Sequence, residues 1–406
     1  MSEPYHTDQW FTSPWNWEPE VVKDFCFPEK IKLHDVTLRD GEQQAGIILR
    51  QEEKVRIAEA LARAGVHRIE AGMPAVSKQD EGAIKQIVKE KFGPEIFAFA
   101  RCMKPDVERA AQCGVDGIVI EIPSSEHIIQ KAYKWELQRA VDLSVEATRY
   151  AKECGLYTVF FPIDFTRASM TWVLDLIEKV ATEGHMDALA VVDTFGGLAP
   201  SAVPHVIRTI KSRIDKPLET HFHDDFRLGT ANTALALAAG AEVAHVTVSG
   251  IGERAGNVPL EDLVMTLLTM YGQDIGVDTK QFFELSALVC ELTGAVIPSN
   301  RAVVGPTTFD VESGIIADWV RNCGEENALE LTPYRPQLVG QQPARIVLGK
   351  NSGLPSVVEY LERTGLSCSD KDKLLGMVAK IKEKAFDQKQ LLTVEQFQEI
   401  ASEFLS

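Results

Sequence analysis

From about residue 31 the chain alternates between two textures. Short β-branched or aromatic runs are followed by longer stretches with one apolar face. The runs predict strands over residues 31–37, 67–72, 95–100, 117–122, 157–163, 187–193, 218–223 and 244–249. The stretches between them carry helical periodicity. In residues 51–65, Val55, Ile57, Ala58, Leu61 and Ala62 share a face, and Gly65 is a natural stop. Residues 135–155 repeat the pattern and again end in glycine. Strands alternating with helices imply parallel pairing through right-handed crossovers. Eight units in roughly 240 residues match a closed (β/α)₈ barrel. An open doubly wound sheet is the alternative. The barrel is preferred because no extra glycine-rich dinucleotide turn accompanies the eight units.

The pattern divides the rest of the chain. Residues 1–30 carry Trp10, Trp15 and Trp17, with Phe11, Phe25 and Phe27 beside them. So many aromatics predict packing on the N-terminal face of the barrel or on a partner subunit. The barrel is expected over 31–275, a helical subdomain over 276–331 and a second over 332–406. The last two part near the Pro/Gly-rich segment 332–345.

In such a barrel the chemistry sits at the C-terminal ends of the strands. All eight predicted strands deliver polar groups there. Strand one runs into Arg39, Asp40 and Gln43, and strand two ends in Glu70. Strand three ends near Arg101, and strand four offers Glu121, Ser124 and Ser125. Strand five gives Asp164 and Arg167, and strand six gives Asp193 and Thr194. Strand seven ends in His221-Phe222-His223-Asp224-Asp225. Strand eight runs into the glycine-rich loop Gly252–Asn257. Random loop polarity would scatter such residues over both ends.

The His221/His223 pair is the sharpest feature. Residues i and i+2 of a strand share a face, so two imidazoles enter one space, and a neutral imidazole is a common metal ligand. With the Asp40 carboxylate across the barrel, two histidines and one carboxylate leave open positions, as a catalytic metal requires. Asn257 is a candidate fourth ligand through its amide oxygen. Mg²⁺, Mn²⁺ and Zn²⁺ all suit such a mixed N/O set. Asp224 and Asp225 either orient the ligating rings or are solvated. Arg39 either neutralises a developing oxyanion or forms a rim ion pair. Glu70 is either a base or a polar support, and Thr194 either binds a substrate carboxylate or caps a helix. The glycine-rich loop offers backbone amides to an anion.

Charge and composition narrow the partners. The chain has 406 residues, 59 acidic against 42 basic, for a net charge of −17. An acidic surface argues against a nucleic-acid or anionic-membrane partner. The apolar runs are too short for a membrane span, and the first ten residues lack the layout of a signal peptide. Seven scattered cysteines without CxxC spacing predict free thiols and a cytoplasmic location.

Five ordered segments, LHDVTLRDGEQQAG, HRIEAGMPA, VVDTFG, THFHDD and SGIGERAGN, resemble the DRE-TIM metallolyase superfamily. Within it they resemble the 2-isopropylmalate, homocitrate and citramalate synthase branch. VGPTTFDVESGI, PQLVG and IVLGKNSG extend the likeness to about residue 360. The resemblance implies a divalent metal on Asp40, His221, His223 and Asn257. It implies Arg39 as the enolate or carbonyl stabiliser, and Gln43, Glu70 and Thr194 around the substrate. Arg167, at the end of strand five, joins the expected substrate-binding set. The implied reaction is a Claisen-type condensation of an acyl-CoA, usually acetyl-CoA, with a 2-oxo acid. The implied assembly is a homodimer.

The sequence departs from that pattern in places. Val311 and Ile316 stand where the synthases commonly carry histidines, one of them implicated in proton transfer. Val119 stands at the strand-four histidine of isopropylmalate synthases, Ile163 replaces a carboxylate before Asp164, and Asn351 replaces a histidine. Val159 and Phe161 make the strand-five side apolar, without the arginine a homocitrate synthase uses for a distal carboxylate. Glu70, Glu121 and His127 are therefore the candidate substitute bases, with Glu121 placed beside Arg39 and Glu70 in the catalytic set. A metal-dependent C–C lyase or aldolase acting on a 2-hydroxy acid is the alternative reaction. The loop after strand eight holds no cysteine, which argues against the acyl-CoA lyase type. The stretch after residue 353 is too short for the regulatory domain of leucine-regulated members, so none is expected. An anionic CoA calls for a basic patch near the barrel mouth, and the sequence does not locate one.

Overall fold

The computed structural model describes residues 3–405. Their contacts gather into two compact units, Pro14–Ile297 and the N-terminal segment to Ser13 together with Pro298 onward. The first unit is the barrel. Its strands are β1 (Lys32–Asp35), β2 (Arg68–Glu70), β3 (Glu95–Arg101), β4 (Gly117–Pro123), β5 (Tyr157–Ile163), β6 (Ala188–Asp193), β7 (Leu218–Phe222) and β8 (Val243–Val246). They pair in parallel and in sequence order, and β8 closes on β1 with Lys32 opposite Val243 and Asp35 opposite Val246. The expected (β/α)₈ fold is the one observed.

Strands buried on both faces read as near-continuous apolar runs, and all six residues of β6 are buried. The helices stop where the sequence predicts. Helix Gln51–Arg63 ends before Gly65, whose φ of +85° suits glycine, and a Cβ there would sit 3.0 Å from the Gly276 carbonyl oxygen. The expected strand over 244–249 ends earlier, at Val246, and is followed by a short 3-10 turn over Val248–Gly250 in which Ser249 takes a left-handed φ of 58°.

The N-terminal aromatics fall in both units. Phe25 and Phe27 pack their rings against Tyr271 at 5.5 and 5.7 Å. Tyr271 ends helix Leu260–Tyr271, so this contact lies on the N-terminal face of the strands, the first of the two expected locations. Trp10 instead forms a backbone bridge with Tyr334 in the second unit. Helix Phe282–Thr293 buries Phe282, Leu285 and Val289 within the barrel unit, and its Ser286 hydroxyl lies 2.6 Å from that of Ser249. The packing boundary therefore falls at 297/298, where the apolar pattern suggested 275/276.

The second unit holds a short parallel pair, β9 (Asp310–Val311) and β10 (Arg345–Ile346). It also holds helices Gly314–Cys323, Leu354–Arg363, Lys371–Gln388 and Val394–Leu405. Val357, Leu361, Met377, Ile381, Phe397 and Ile400 form its core. Val311 and Ile316 line a cleft of about 360 Å³ within this unit. Among the described residues no helix is long and apolar enough to cross a membrane. All seven cysteines are unpaired.

One packing contact tests the barrel wall. Gly117 opens β4 directly against the buried Phe97 ring, and an added Cβ would overlap that ring. Gly117→Ala should destabilise the protein by about 1–3 kcal/mol through overpacking, read as a lower urea midpoint. An unchanged midpoint would show that Phe97 has room to move.

Candidate metal centre

The turn after β1 sets the first half of the site. The N–H groups of Arg39, Asp40 and Gly41 all donate to the Val36 carbonyl, at 3.1, 2.8 and 3.1 Å. This tight turn brings the Arg39 and Asp40 side chains side by side, both nearly buried. The Val248 N–H donates to the Thr37 hydroxyl at 2.9 Å and ties the turn to the end of β8.

Strand β7 and the loop after β8 supply the other half. His221 Nε2 lies 3.5 Å and His223 Nε2 3.9 Å from Asp40 Oδ2. One ligand atom from each of Asp40, His221 and His223 falls within 4.8 Å of the others, and all three residues are buried. A backbone bridge joins His223 to Asn257. The Asn257 amide donates from Nδ2 to Asp40 Oδ1 at 2.8 Å, while its Oδ1 is buried without a hydrogen-bond partner. A buried carbonyl oxygen without a donor is costly, and a cation shared with Asp40 and the imidazoles would satisfy it. The residues present therefore fit a divalent ion of mixed N/O preference. The loop amides reach the same carboxylate: the Glu253 N–H points to Asp40 Oδ1 at 3.4 Å.

Burial would raise the Asp40 pKa, but the Arg39 charge and the two imidazoles overcome it and hold the carboxyl well below the usual range. Burial lowers His221 to about 3, against the pull of Asp40, and also lowers His223. Both rings are thus neutral and able to ligate.

Arg39 is clamped. Its Nε donates to Glu70, its Nη1 donates to Asp40 Oδ2 at 2.6 Å and reaches Gln43 Oε1 at 3.5 Å. The guanidinium lies 4.1 Å over the Phe99 ring. Its Nη2 is buried and unpartnered, a donor left for another group. Glu70 is fully buried. Burial pushes its pKa up, but Arg39 and His34 outweigh this and leave it at about 2. Glu121, on β4, behaves in the opposite sense. Burial raises its pKa, only partly offset by the charges of Arg39 and Arg101.

Other expected residues gather elsewhere on the rim. Asp164 receives the Ser125 hydroxyl at 2.5 Å, His127 Nε2 at 3.1 Å and a two-pronged bond from Arg167 at 2.6 and 3.0 Å. Arg167 also lies 3.8 Å over the Phe195 ring. The Thr194 hydroxyl accepts from the Asp164 N–H at 2.8 Å, and its carbonyl accepts from Arg254. Asp224 and Asp225 do not hold the ligating rings. Asp224 accepts the Gly229 N–H at the start of the next helix, at 2.9 Å, and Asp225 pairs with Arg254 at 3.0 Å.

Sequence reasoning missed the layer beneath the candidate metal ligands. His34 on β1, Glu219 on β7 and His245 on β8 are all fully or nearly fully buried. His245 Nδ1 lies 3.3 Å from His221 Nδ1, and His245 Nε2 lies 2.8 Å from Glu219 Oε2. Arg68 donates to Glu219 Oε1 at 2.7 Å. His34 Nε2 stands 3.2 Å from Glu70 Oε2, off the line of a good hydrogen bond. One signal was available: Glu219, His221 and His223 share a face by period two.

Comparison with known proteins agrees with this fold. The HMGL-like family model matches residues 30–289. The homocitrate synthase of Methanothermobacter thermautotrophicus is 36% identical over 374 residues, covering 92% of this chain and 93% of that protein. A probable 2-isopropylmalate synthase of Ignicoccus hospitalis is 40% identical, covering 87% and 88%. A putative (R)-citramalate synthase of Methanopyrus kandleri is 37% identical, covering 89% of this chain and 70% of its own. Among solved structures, the HMG-CoA lyase of Bacillus subtilis superposes with a TM-score of 0.61 at 22% identity, covering 67% of this chain and 96% of that one. At that identity the superposition speaks for the barrel alone. With a family model over most of the chain, and relatives above 30% identity over nearly all of it, the chain belongs to the HMGL-like family.

Proposed function

We propose that this chain is a divalent-metal-dependent condensing enzyme that joins an acyl-CoA, most simply acetyl-CoA, to the oxo carbon of a 2-oxo acid, giving a 2-alkylmalate-like product. The observation that carries the reading is the Asp40, His221 and His223 cluster with the unsatisfied Asn257 oxygen, next to an arginine with one unpartnered nitrogen. The relatives' names agree in kind, since all three are synthases, and differ in product. The alternative, cleavage of a 2-hydroxy acid in the reverse sense, has no named relative among these three to support it.

In this reading Asp40, His221, His223 and Asn257 hold the ion. An ion held there would supply Lewis acidity toward a 2-oxo acid. Arg39 Nη2 donates to the oxygen that gains negative charge as the C–C bond forms. Glu70 positions Arg39, and its low pKa makes it a poor base. Glu121 is the proton-exchanging carboxyl, because its environment raises its proton affinity while that of Glu70 falls. It thereby stands in for the histidines replaced by Val311 and Ile316. Gln43 backs Arg39, and Thr194 with Arg167 forms the rim beyond it. We assign the protein to the cytoplasm as a homodimer: unpaired cysteines suit a reducing compartment, and the dimer follows from the resemblance to the synthases.

Incubation with Mn²⁺ or Mg²⁺, acetyl-CoA and a panel of 2-oxo acids should release free CoA thiol with at least one acid. Asp40→Ala should lose metal binding and turnover together. No thiol release with any acid would overturn the acetyl-CoA reading, and a fully active Asp40→Ala would overturn the ligand assignment. Glu121→Gln should lower kcat by about 10²–10⁴-fold while leaving Mn²⁺ affinity unchanged. An unaltered kcat would remove Glu121 from the proton transfer.

A further inference from the structure

Beneath the metal ligands, the barrel interior holds a chain of contacts that a catalytic centre alone does not require. Glu219 and His221 are two residues apart on β7 and face inward together. His245 reaches between them from β8. Its Nε2 lies 2.8 Å from Glu219 Oε2 and its Nδ1 lies 3.3 Å from His221 Nδ1. Glu219 is itself anchored by Arg68, whose Nη1 donates to its other oxygen at 2.7 Å. All four side chains are buried.

Chemistry decides where the protons sit. Glu219 pairs with the Arg68 guanidinium at 2.7 Å, which leaves its oxygens as acceptors. A carboxylate only accepts, so His245 donates from Nε2. The two facing Nδ1 atoms, 3.3 Å apart, leave room for one hydrogen between them, and a ring whose Nε2–H is spent on a carboxylate offers Nδ1 as the acceptor. That acceptor faces His221 Nδ1, which must then carry the hydrogen. His221 is left with its lone pair on Nε2, the nitrogen 3.5 Å from Asp40. We propose that Glu219 and His245 are positioning residues that fix His221 in its Nδ1–H tautomer, so that Nε2 is presented to the metal. The relay rests on the metal reading of Asp40, His221 and His223.

A different occupant of the same layer is a second ion, since His34, Glu219 and His245 also bring ligand atoms within 4.8 Å of one another. Ring geometry argues against it. The His34 and His245 rings stack at 4.4 Å with 22° between their planes. Imidazole lone pairs lie in the ring plane, so stacked rings point them side by side and not at one ion. Glu219 also already neutralises Arg68.

The test uses the full chain and Mn²⁺ alone. His245→Phe keeps a ring to stack on His34 but cannot bond to His221. Glu219→Gln keeps the shape and removes the charge that orients His245. Each should weaken Mn²⁺ binding by about 10–100-fold, the usual effect of losing a partner behind a ligand. The decisive readout is ¹⁵N NMR of the imidazoles in the metal-free protein. His221 should show one Nδ1–H tautomer in the unaltered protein and lose that preference in His245→Phe, which a merely structural role would not produce. If His245→Phe fails to fold, Glu219→Gln carries the same two measurements. Unchanged affinity and tautomer in the variants would overturn the relay. Two ions per chain would overturn it in favour of the second site. Failure of the unaltered protein to bind Mn²⁺ would instead remove the metal centre itself.

Discussion

The closing pair of the barrel, β1 on β8, is the constraint on which the site depends. It joins segments more than two hundred residues apart in sequence, with His34 opposite His245 and Asp35 opposite Val246. Closing so long a loop costs chain entropy that must be recovered from burial and pairing. Once closed, the turn after β1 places Arg39 and Asp40 against the ends of β7 and β8. A shift of β1 by one residue would turn Asp40 away from the imidazoles and His34 away from the core, because strand faces alternate.

That closure also forces charge into the interior. Arg39, Asp40, Glu70, Arg68 and Glu219 are all buried, and isolated buried charges are prohibitive. They persist as a connected set: Glu70 and Asp40 on Arg39, Glu219 on Arg68, and imidazoles between them. Such pairs contribute little net stability but are costly to break. Their effect is to hold each functional group in one orientation. Arg39 has a single nitrogen left unpartnered, His221 a single lone pair, and Asn257 a single free oxygen. A preorganised centre of this kind needs no rearrangement when charge develops.

Much of this was legible in the chain. The eight strand–helix units followed from alternating periodicity, because each strand is apolar enough to be buried on both faces. Asp40, His221, His223 and Asn257 could be singled out because strand ends in a barrel converge on one mouth. The second unit was less legible. Helix Phe282–Thr293 carries the same kind of apolar face as the helices after it, and nothing in the sequence says which core receives that face. The sequence left Asp224 and Asp225 open between orienting the ligating rings and being solvated, because proximity along the chain does not show that one accepts the first N–H of the next helix and the other pairs with Arg254.

The sequence by itself determined the fold class, the candidate metal-ligand residue types and the arginine beside them, since periodicity and strand position are local properties. Only the tertiary structure decided what each group is free to do. Glu70 and Glu121 are both inward-facing carboxylates at strand ends. One is locked by Arg39 and held low, and the other, partly buried with weaker compensation, is shifted upward. The pairing of His245 with His221 likewise exists only because β7 and β8 are neighbours in a closed sheet. Proton affinities and tautomers depend on what surrounds a group in space, and that is set by closure, burial and register, none of which is a local property of the chain.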